Sequence, residues 1–176
     1  MTARRVLVVA LAGVAVALVA VGIVKLVGDD SGNDSGGGSS PSLTAALAAA
    51  TPADAAFPGL TAARIAVGGR CIRVVIADTL AERVEGLRQR SDVGDYDGML
   101  FVFDGATDTA FTMSTVPVAL DIGFYDATGK LVSDERMLPC PKAEDQCPVY
   151  RADGPFVYAL ETVKGELPAG SLSGCA

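Results

Sequence analysis

The chain contains no histidine. A serine or cysteine nucleophile activated by imidazole is therefore excluded. A zinc site takes about four ligands and would have no histidine to draw on, so no metal is expected. No GxSxG elbow, phosphate-binding loop or dinucleotide glycine pattern occurs, and no cofactor is expected. Basic residues are scarce: 14 Lys and Arg stand against 21 Asp and Glu, for a net charge of −7. They form no cluster of the kind a nucleic-acid-binding domain needs, and the acidic surface repels DNA, RNA and anionic headgroups.

What the chain does have is a long apolar run. Residues 6–24 read VLVVALAGVAVALVAVGIV behind Arg4 and Arg5 and meet Lys25. Nineteen helical residues span roughly 28 Å, close to the ~30 Å hydrocarbon core of a bilayer. A signal peptide has a shorter apolar region, about 7–15 residues, with its cleavage site behind it. Here small-x-small triplets such as Ala15-Val16-Ala17 fall inside the run. Residues 1–27 are expected to form a single transmembrane anchor; a cleaved signal sequence and secretion is the alternative. The arginines before the span place the N-terminus in the cytoplasm and the rest of the chain outside. All 21 acidic residues follow Gly28, with 11 of the 14 basic ones, so the outer part carries about −10.

Residues 28–56 read as a linker. Residues 28–42, GDDSGNDSGGGSSPS, hold almost no apolar surface and do not offset the entropy of ordering. Residues 43–50, LTAALAAA, fit a short helix with little to pack on, and Thr51-Pro52 and Phe57-Pro58 break the chain again. The folded domain is expected over 57–176, enough for one modest core.

Four cysteines, at 71, 140, 147 and 175, all lie in this outer domain. An even count in an oxidising compartment argues for disulfides, with three pairings open. Cys140 and Cys147 are close in sequence and flanked by prolines (PCPKAEDQCP), which favours pairing them and leaves Cys71 with Cys175. The spacing is not the CxxC of thiol oxidoreductases. Structural staples are the plain reading; a redox-active Cys140–Cys147 pair is the functional one.

The domain's pattern is mostly strand-like. Ala63–Val67 and Cys71–Ile76 flank Gly68-Gly69, a hairpin signal. Gly98–Phe103 fits a buried strand, and Phe111 and Met113 sit two apart in the next candidate. Val118, Leu120, Ile122 and Phe124 alternate with more polar positions, the period of a half-buried strand. Asp126–Gly129 reads as the turn into a strand over 130–137. A further strand over 156–163 sets Phe156, Tyr158 and Leu160 on one face. One helix interrupts. Thr79 and Glu82 fit a capping box, and Leu80, Val84 and Leu87 make a core-facing stripe at i, i+4 and i+7. The expectation is a mainly β fold, a compact β-sandwich or barrel-like domain with one short α-helix.

Six ordered blocks resemble a known family: A-ERVEGLRQR (81–90), GMLFVF (98–103), FTM (111–113), PVALDIGFYDATGKLV (117–132), LPC…CPVY (138–150) and YALE (158–161). Together they are similar to the domain of unknown function 192 family, also called uncharacterised protein family 0127, over roughly residues 70–165. The resemblance implies a small, mainly β domain, often behind a signal peptide or membrane anchor, with no established activity. Its paired cysteines match Cys140 and Cys147. Where the family commonly carries aromatic-Trp-Met-Lys-Asn-Thr, this chain has Phe111-Thr112-Met113-Ser114-Thr115 and lacks any surface that the Trp, Lys and Asn would build.

Carboxylates and arginines are the remaining chemistry, and no residue is assigned as catalytic. Arg83 and Arg90, seven apart on one helical flank, with Asp121 on the polar face of its strand, are the candidate ligand-binding residues. Ordinary ion pairing is the plain alternative. Asp121 and Glu161 would make an envelope hydrolase if their carboxyls faced one another about 5–10 Å apart across an open cleft. Met99 and Met113 read as core fillers. The leading expectation is a membrane-tethered, extracytoplasmic binding or accessory module for an envelope protein or glycan. A paired-carboxylate hydrolase and a thiol–disulfide protein are the alternatives.

Overall fold

The computed structural model describes residues 41–163 and 167–175. The expected anchor over 1–27 and the glycine-rich stretch that follows it lie outside them. Among the described residues no helix is long and apolar enough to cross a membrane.

The described elements are α1 (Leu43–Ala48), β1 (Thr51–Pro52), β2 (Thr61–Val67), β3 (Arg70–Ala77), α2 (Leu80–Glu85), β4 (Gly98–Thr107), β5 (Phe111–Thr112), β6 (Leu120–Tyr125), β7 (Leu131–Met137), β8 (Val149–Tyr150), β9 (Phe156–Val163) and β10 (Leu172–Gly174). The fold is mainly β. One sheet runs β1-β2-β3-β4-β9-β6-β7, with β10 also paired to β2, and β5 and β8 form a separate two-stranded ribbon. All pairings among the named strands are antiparallel except β3 with β4, which are joined through α2.

Local chemistry accounts for the main elements. β2 and β3 turn at Gly68 (φ 56°) and Gly69 (φ 86°), two successive left-handed residues that suit glycine. The Thr79–Glu82 capping box is formed in both directions and starts α2. The Asp126–Gly129 turn is closed by the Asp126 carboxylate, which accepts from the backbone N–H groups of Thr128 and Lys130. Alternation along the central strands sends successive side chains to opposite sides of the sheet. Val75, Met99, Phe101, Ile122, Phe124 and Ala159 go to one side; Val74, Ile76, Leu100, Tyr125 and Leu160 go to the other. Both sides are buried, the first mixed with aromatic rings, the second mostly aliphatic.

Three expectations need correction. Residues 43–52, assigned to the linker by composition, belong to the folded body. Leu43 of α1 is buried in the aliphatic side, and β1 pairs with β2. Composition missed this because alanine-rich α1 needs only one buried leucine and a close neighbour. That neighbour is β10, where a Cβ on Gly174 would stand 2.5 Å from the Pro41 carbonyl oxygen. Second, Leu80 and Val84 do not enter the core: they are 72% and 62% exposed, and only Leu87 is buried. Third, Phe156 does not share a face with Leu160. The β4–β9 register shifts between Val102 and Thr107, and Phe156 joins the aromatic side while Tyr158 and Leu160 pack on the aliphatic one.

The cysteines close as Cys71–Cys175 and Cys140–Cys147. The first ties β3 to the residue after β10, across 104 residues; the second closes a loop between β7 and β8, across 7. Met99 and Met113 are fully buried.

Candidate functional site

Five of the six phenylalanines gather on the aromatic side of the sheet. Phe101 meets Phe111 edge to face at 5.1 Å between ring centres, and Phe103 meets Phe156 in the same way at 5.4 Å. Phe124 and Phe156 lie 4.9 Å apart. Such pairs contribute about 0.5–1.5 kcal/mol each beyond their burial. Where this cluster reaches α2 it does not close. A cavity of about 330 Å³ opens there, walled by Phe101, Phe103 and Phe111, with Leu80 and Val84 among its lining and Glu161 in it as well. The two exposed side chains of α2 thus line a recess, which accounts for a helical stripe that packs against no element.

Glu161 is the unusual member. It stands on β9 between β4 and β6, opposite Met99 on one neighbour and Ile122 on the other. Both are core residues, so the carboxyl emerges in the middle of the apolar side of the sheet. It is only 5% exposed. No hydrogen bond or ion pair from a described residue reaches it, and burial alone pushes its pKa from 4.5 up to about 8. A carboxyl without a partner in an apolar setting costs stability unless something else satisfies it. A polar group at this depth that also lines a cavity is the mark of a site.

The charged residues around the opening are already engaged. Arg83 donates through Nη1 to the backbone carbonyls of Asp78 and Val102, and its guanidinium lies 4.9 Å from the centre of the Phe103 ring. Arg88, on the turn after α2, donates to the Val84 and Ser114 carbonyls and pairs with Glu144 at 2.9 Å. That pair links α2's C-terminal turn to the loop closed by Cys140–Cys147. Glu82 is held below the usual carboxylate range, first by the Thr79 backbone N–H and further by the Thr79 hydroxyl.

The structure places the candidate residues in three different settings. Arg83 lines the cavity. Arg90 does not; it lies 4.0 Å over the Phe57 ring and donates to the Ala56 carbonyl, holding the 54–60 segment in place. Phe57 in turn meets Tyr96 edge to face, and Arg73 lies over Tyr96. Asp121 is gripped by Arg136 of β7, Nε to Oδ1 at 2.7 Å and Nη2 to Oδ2 at 3.1 Å. Asp121 stands opposite Thr162, one position out of step with Glu161, so the two carboxyls leave the sheet on opposite sides. They do not face one another across a cleft, so the Asp121–Glu161 pair expected for hydrolysis is not formed. Cys140 and Cys147 are buried, 6% and 8% exposed, as suits a staple more than an exchanging disulfide.

Sequence reading named Glu161 only as half of a pair with Asp121. Its own signal was a lone acid inside the run FVYALETV, at a position whose neighbours in the strand face a core. The phenylalanine walls gave no signal, because core aromatics and cavity aromatics look alike in sequence.

The model of the DUF192 family, described as "Uncharacterized ACR, COG1430", matches residues 63–173. Among solved structures, the chain is similar to a protein of unknown function from Novosphingobium aromaticivorans DSM 12444. The two share 27% identity over 70% of this chain and 93% of that one, with a TM-score of 0.58. It is also similar to a putative transcription regulator from Sinorhizobium meliloti 1021, with 22% identity over 67% of this chain and 97% of that one, and a TM-score of 0.56. At that identity the second likeness speaks for the fold alone. No curated protein matches the chain.

Proposed function

Since the chain belongs to the DUF192 family, whose description assigns no reaction, we propose from the site itself that the domain is a binding module. In this reading it takes up a small, largely apolar ligand in the cavity beneath α2. The observation that carries the reading is Glu161: a carboxyl 5% exposed, without a partner among the described residues, lining an aromatic-walled recess that opens to solvent. The cavity, about 330 Å³, is at the small end of ligand sites. Phe101, Phe103 and Phe111 supply contact area, and Glu161 supplies the single polar contact that orients a ligand. Asp121 does not join Glu161 in an acid–base pair, since it faces the other way and is held by Arg136.

The test is direct. p-Cresol, an aromatic ring with one hydroxyl, is titrated into the protein and followed by ligand-observed NMR. Ala110→Trp fills the recess from its partly exposed wall. Binding to the native protein that disappears in this variant at unchanged Tm supports the reading. Equal binding to both, or none to either, removes it.

In the same proposal the module works outside the membrane, held by residues 6–24 and serving an envelope component. The support is the length of the apolar run, the arginines before it, and the pairing of all four cysteines. A C-terminal alkaline phosphatase fusion that is active in cells agrees with this address; an inactive one at normal expression removes it.

A further inference from the structure

The charges that line the recess are Arg83 and Arg88, Glu85 and Glu144, and Glu161. Two arginines balance two glutamates, and one of these pairs is made directly at 2.9 Å. Glu161 is the surplus. When it ionises, the cavity holds one negative charge with no counter-ion and no donor. Its walls include Phe101, Phe103 and Phe111, and the chain as a whole is acidic. A positive ligand group gains from all three at once: charge pairing with the carboxylate, attraction to the ring faces, and steering by the overall field. A neutral ligand satisfies one hydrogen bond of the protonated acid, and an anion meets an uncompensated like charge.

We propose that the cavity's ligand is an organic monocation: an ammonium group on a short apolar body, with the ammonium on Glu161 and the body against Phe101, Phe103 and Phe111. This rests on the binding reading above and names its ligand class. No covalent step is involved. Where Glu161 is protonated in the free protein, binding transfers its proton to solvent, and the complex forms between carboxylate and ammonium.

The pH dependence follows. The strands beside Glu161 present Met99 and Ile122, and the 109–112 segment presents Thr109, Ala110, Phe111 and Thr112, none of them charged. The α2 region presents Arg83, Glu85 and Arg88, and the disulfide loop presents Glu144. Burial places the titration of Glu161 at about 8. Apparent affinity for an alkylammonium rises about 50-fold from pH 6 to pH 8, following the ionised fraction of a carboxyl near 8.

The experiment measures n-hexylammonium, n-hexanol and hexanoate on the whole protein by calorimetry across that range, with p-cresol as the control. The expected result is hexylammonium tightest, affinity rising with pH, and protons released on binding. Glu161→Gln then weakens hexylammonium by about 10- to 100-fold and abolishes its pH slope, with a smaller effect on hexanol. Nα-Acetyl-lysine amide separates two sources of the same chemistry: tighter binding than hexylammonium puts the amine on a polypeptide, weaker binding makes it a free molecule. Hexanol or hexanoate binding as tightly as the amine, or a flat pH profile on the native protein, overturns the inference and leaves the cavity a site for other ligands. If neither p-cresol nor any hexyl probe binds, the binding reading falls with it.

Discussion

The two sides of the sheet each bury a polar group without a partner, and the two groups have opposite chemical prospects. On the aliphatic side Tyr125 is fully buried among Ile65, Val74, Leu100 and Leu160. Its hydroxyl is enclosed without a hydrogen bond, and burial, with Asp134 nearby, pushes its pKa up to about 12. It keeps its proton at any working pH. On the aromatic side Glu161 is as deeply buried, but it lines a recess, and its pKa of about 8 lies within reach. Burial alone therefore does not make a site. Access does, and here access comes from α2, a short helix that lays two apolar side chains along an opening instead of packing them into the core.

The largest effect expected tests the aliphatic side. Replacing Cys71 and Cys175 together by serine frees a loop of 104 residues and costs about 4–5 kcal/mol in urea unfolding. A cost under 1 kcal/mol would mean that β10 and α1 hold that side without the bond. Next comes the pH profile of stability. Glu161 binds its proton more tightly folded (about 8) than unfolded (4.5), so between those values the folded state holds a proton that the unfolded state has lost. Its contribution is complete below pH 4.5 and falls by up to about 1.4 kcal/mol per pH unit until pH 8. Glu161→Gln removes that slope, read by urea unfolding at several pH values; an unchanged slope would assign the dependence to other groups. Third, serine at both Cys140 and Cys147 costs about 2 kcal/mol, in line with a closed loop of 7 residues. Fourth, Tyr125→Phe removes an unsatisfied hydroxyl and raises stability by about 1 kcal/mol without altering any cavity probe. A loss instead would show that the hydroxyl holds a buried water. Smallest, Leu80→Gln with Val84→Gln shifts stability by under about 0.5 kcal/mol and weakens p-cresol binding. A large loss of stability would restore these residues to the core.

Much of the β framework was legible in the residues. Gly68-Gly69 announced the first hairpin, the alternation from Leu120 to Phe124 announced β6, and Thr79 with Glu82 announced the cap of α2. These signals are local, and local chemistry decides them. What was hidden depends on distant partners. The spacing of Leu80 and Val84 correctly described one helical face, but spacing does not say whether anything covers that face. Phe156 lies on the other side from Tyr158 and Leu160, beside the β4–β9 register shift, and no short pattern around 156–163 encodes the partner strand's irregularity. Asp121 and Glu161 looked like a pair because both are acids on strands. Their separation follows from the β6–β9 register, which only assembly fixes. The disulfide pairing was legible because one pair is so close in sequence that the other follows.

The contact between the two ends of the described body has a mechanical consequence. Gly174 donates its backbone N–H to the Pro41 carbonyl, and the next residue, Cys175, is bonded covalently to β3. A pull on the chain at residue 41 therefore loads β10 through this hydrogen bond as well as α1 along the chain. From there the force passes through a sulfur bridge into the interior of the sheet without peeling strands from its edge. A domain wired in this way shares traction on its leading segment between α1, β10 and the Cys71–Cys175 bond.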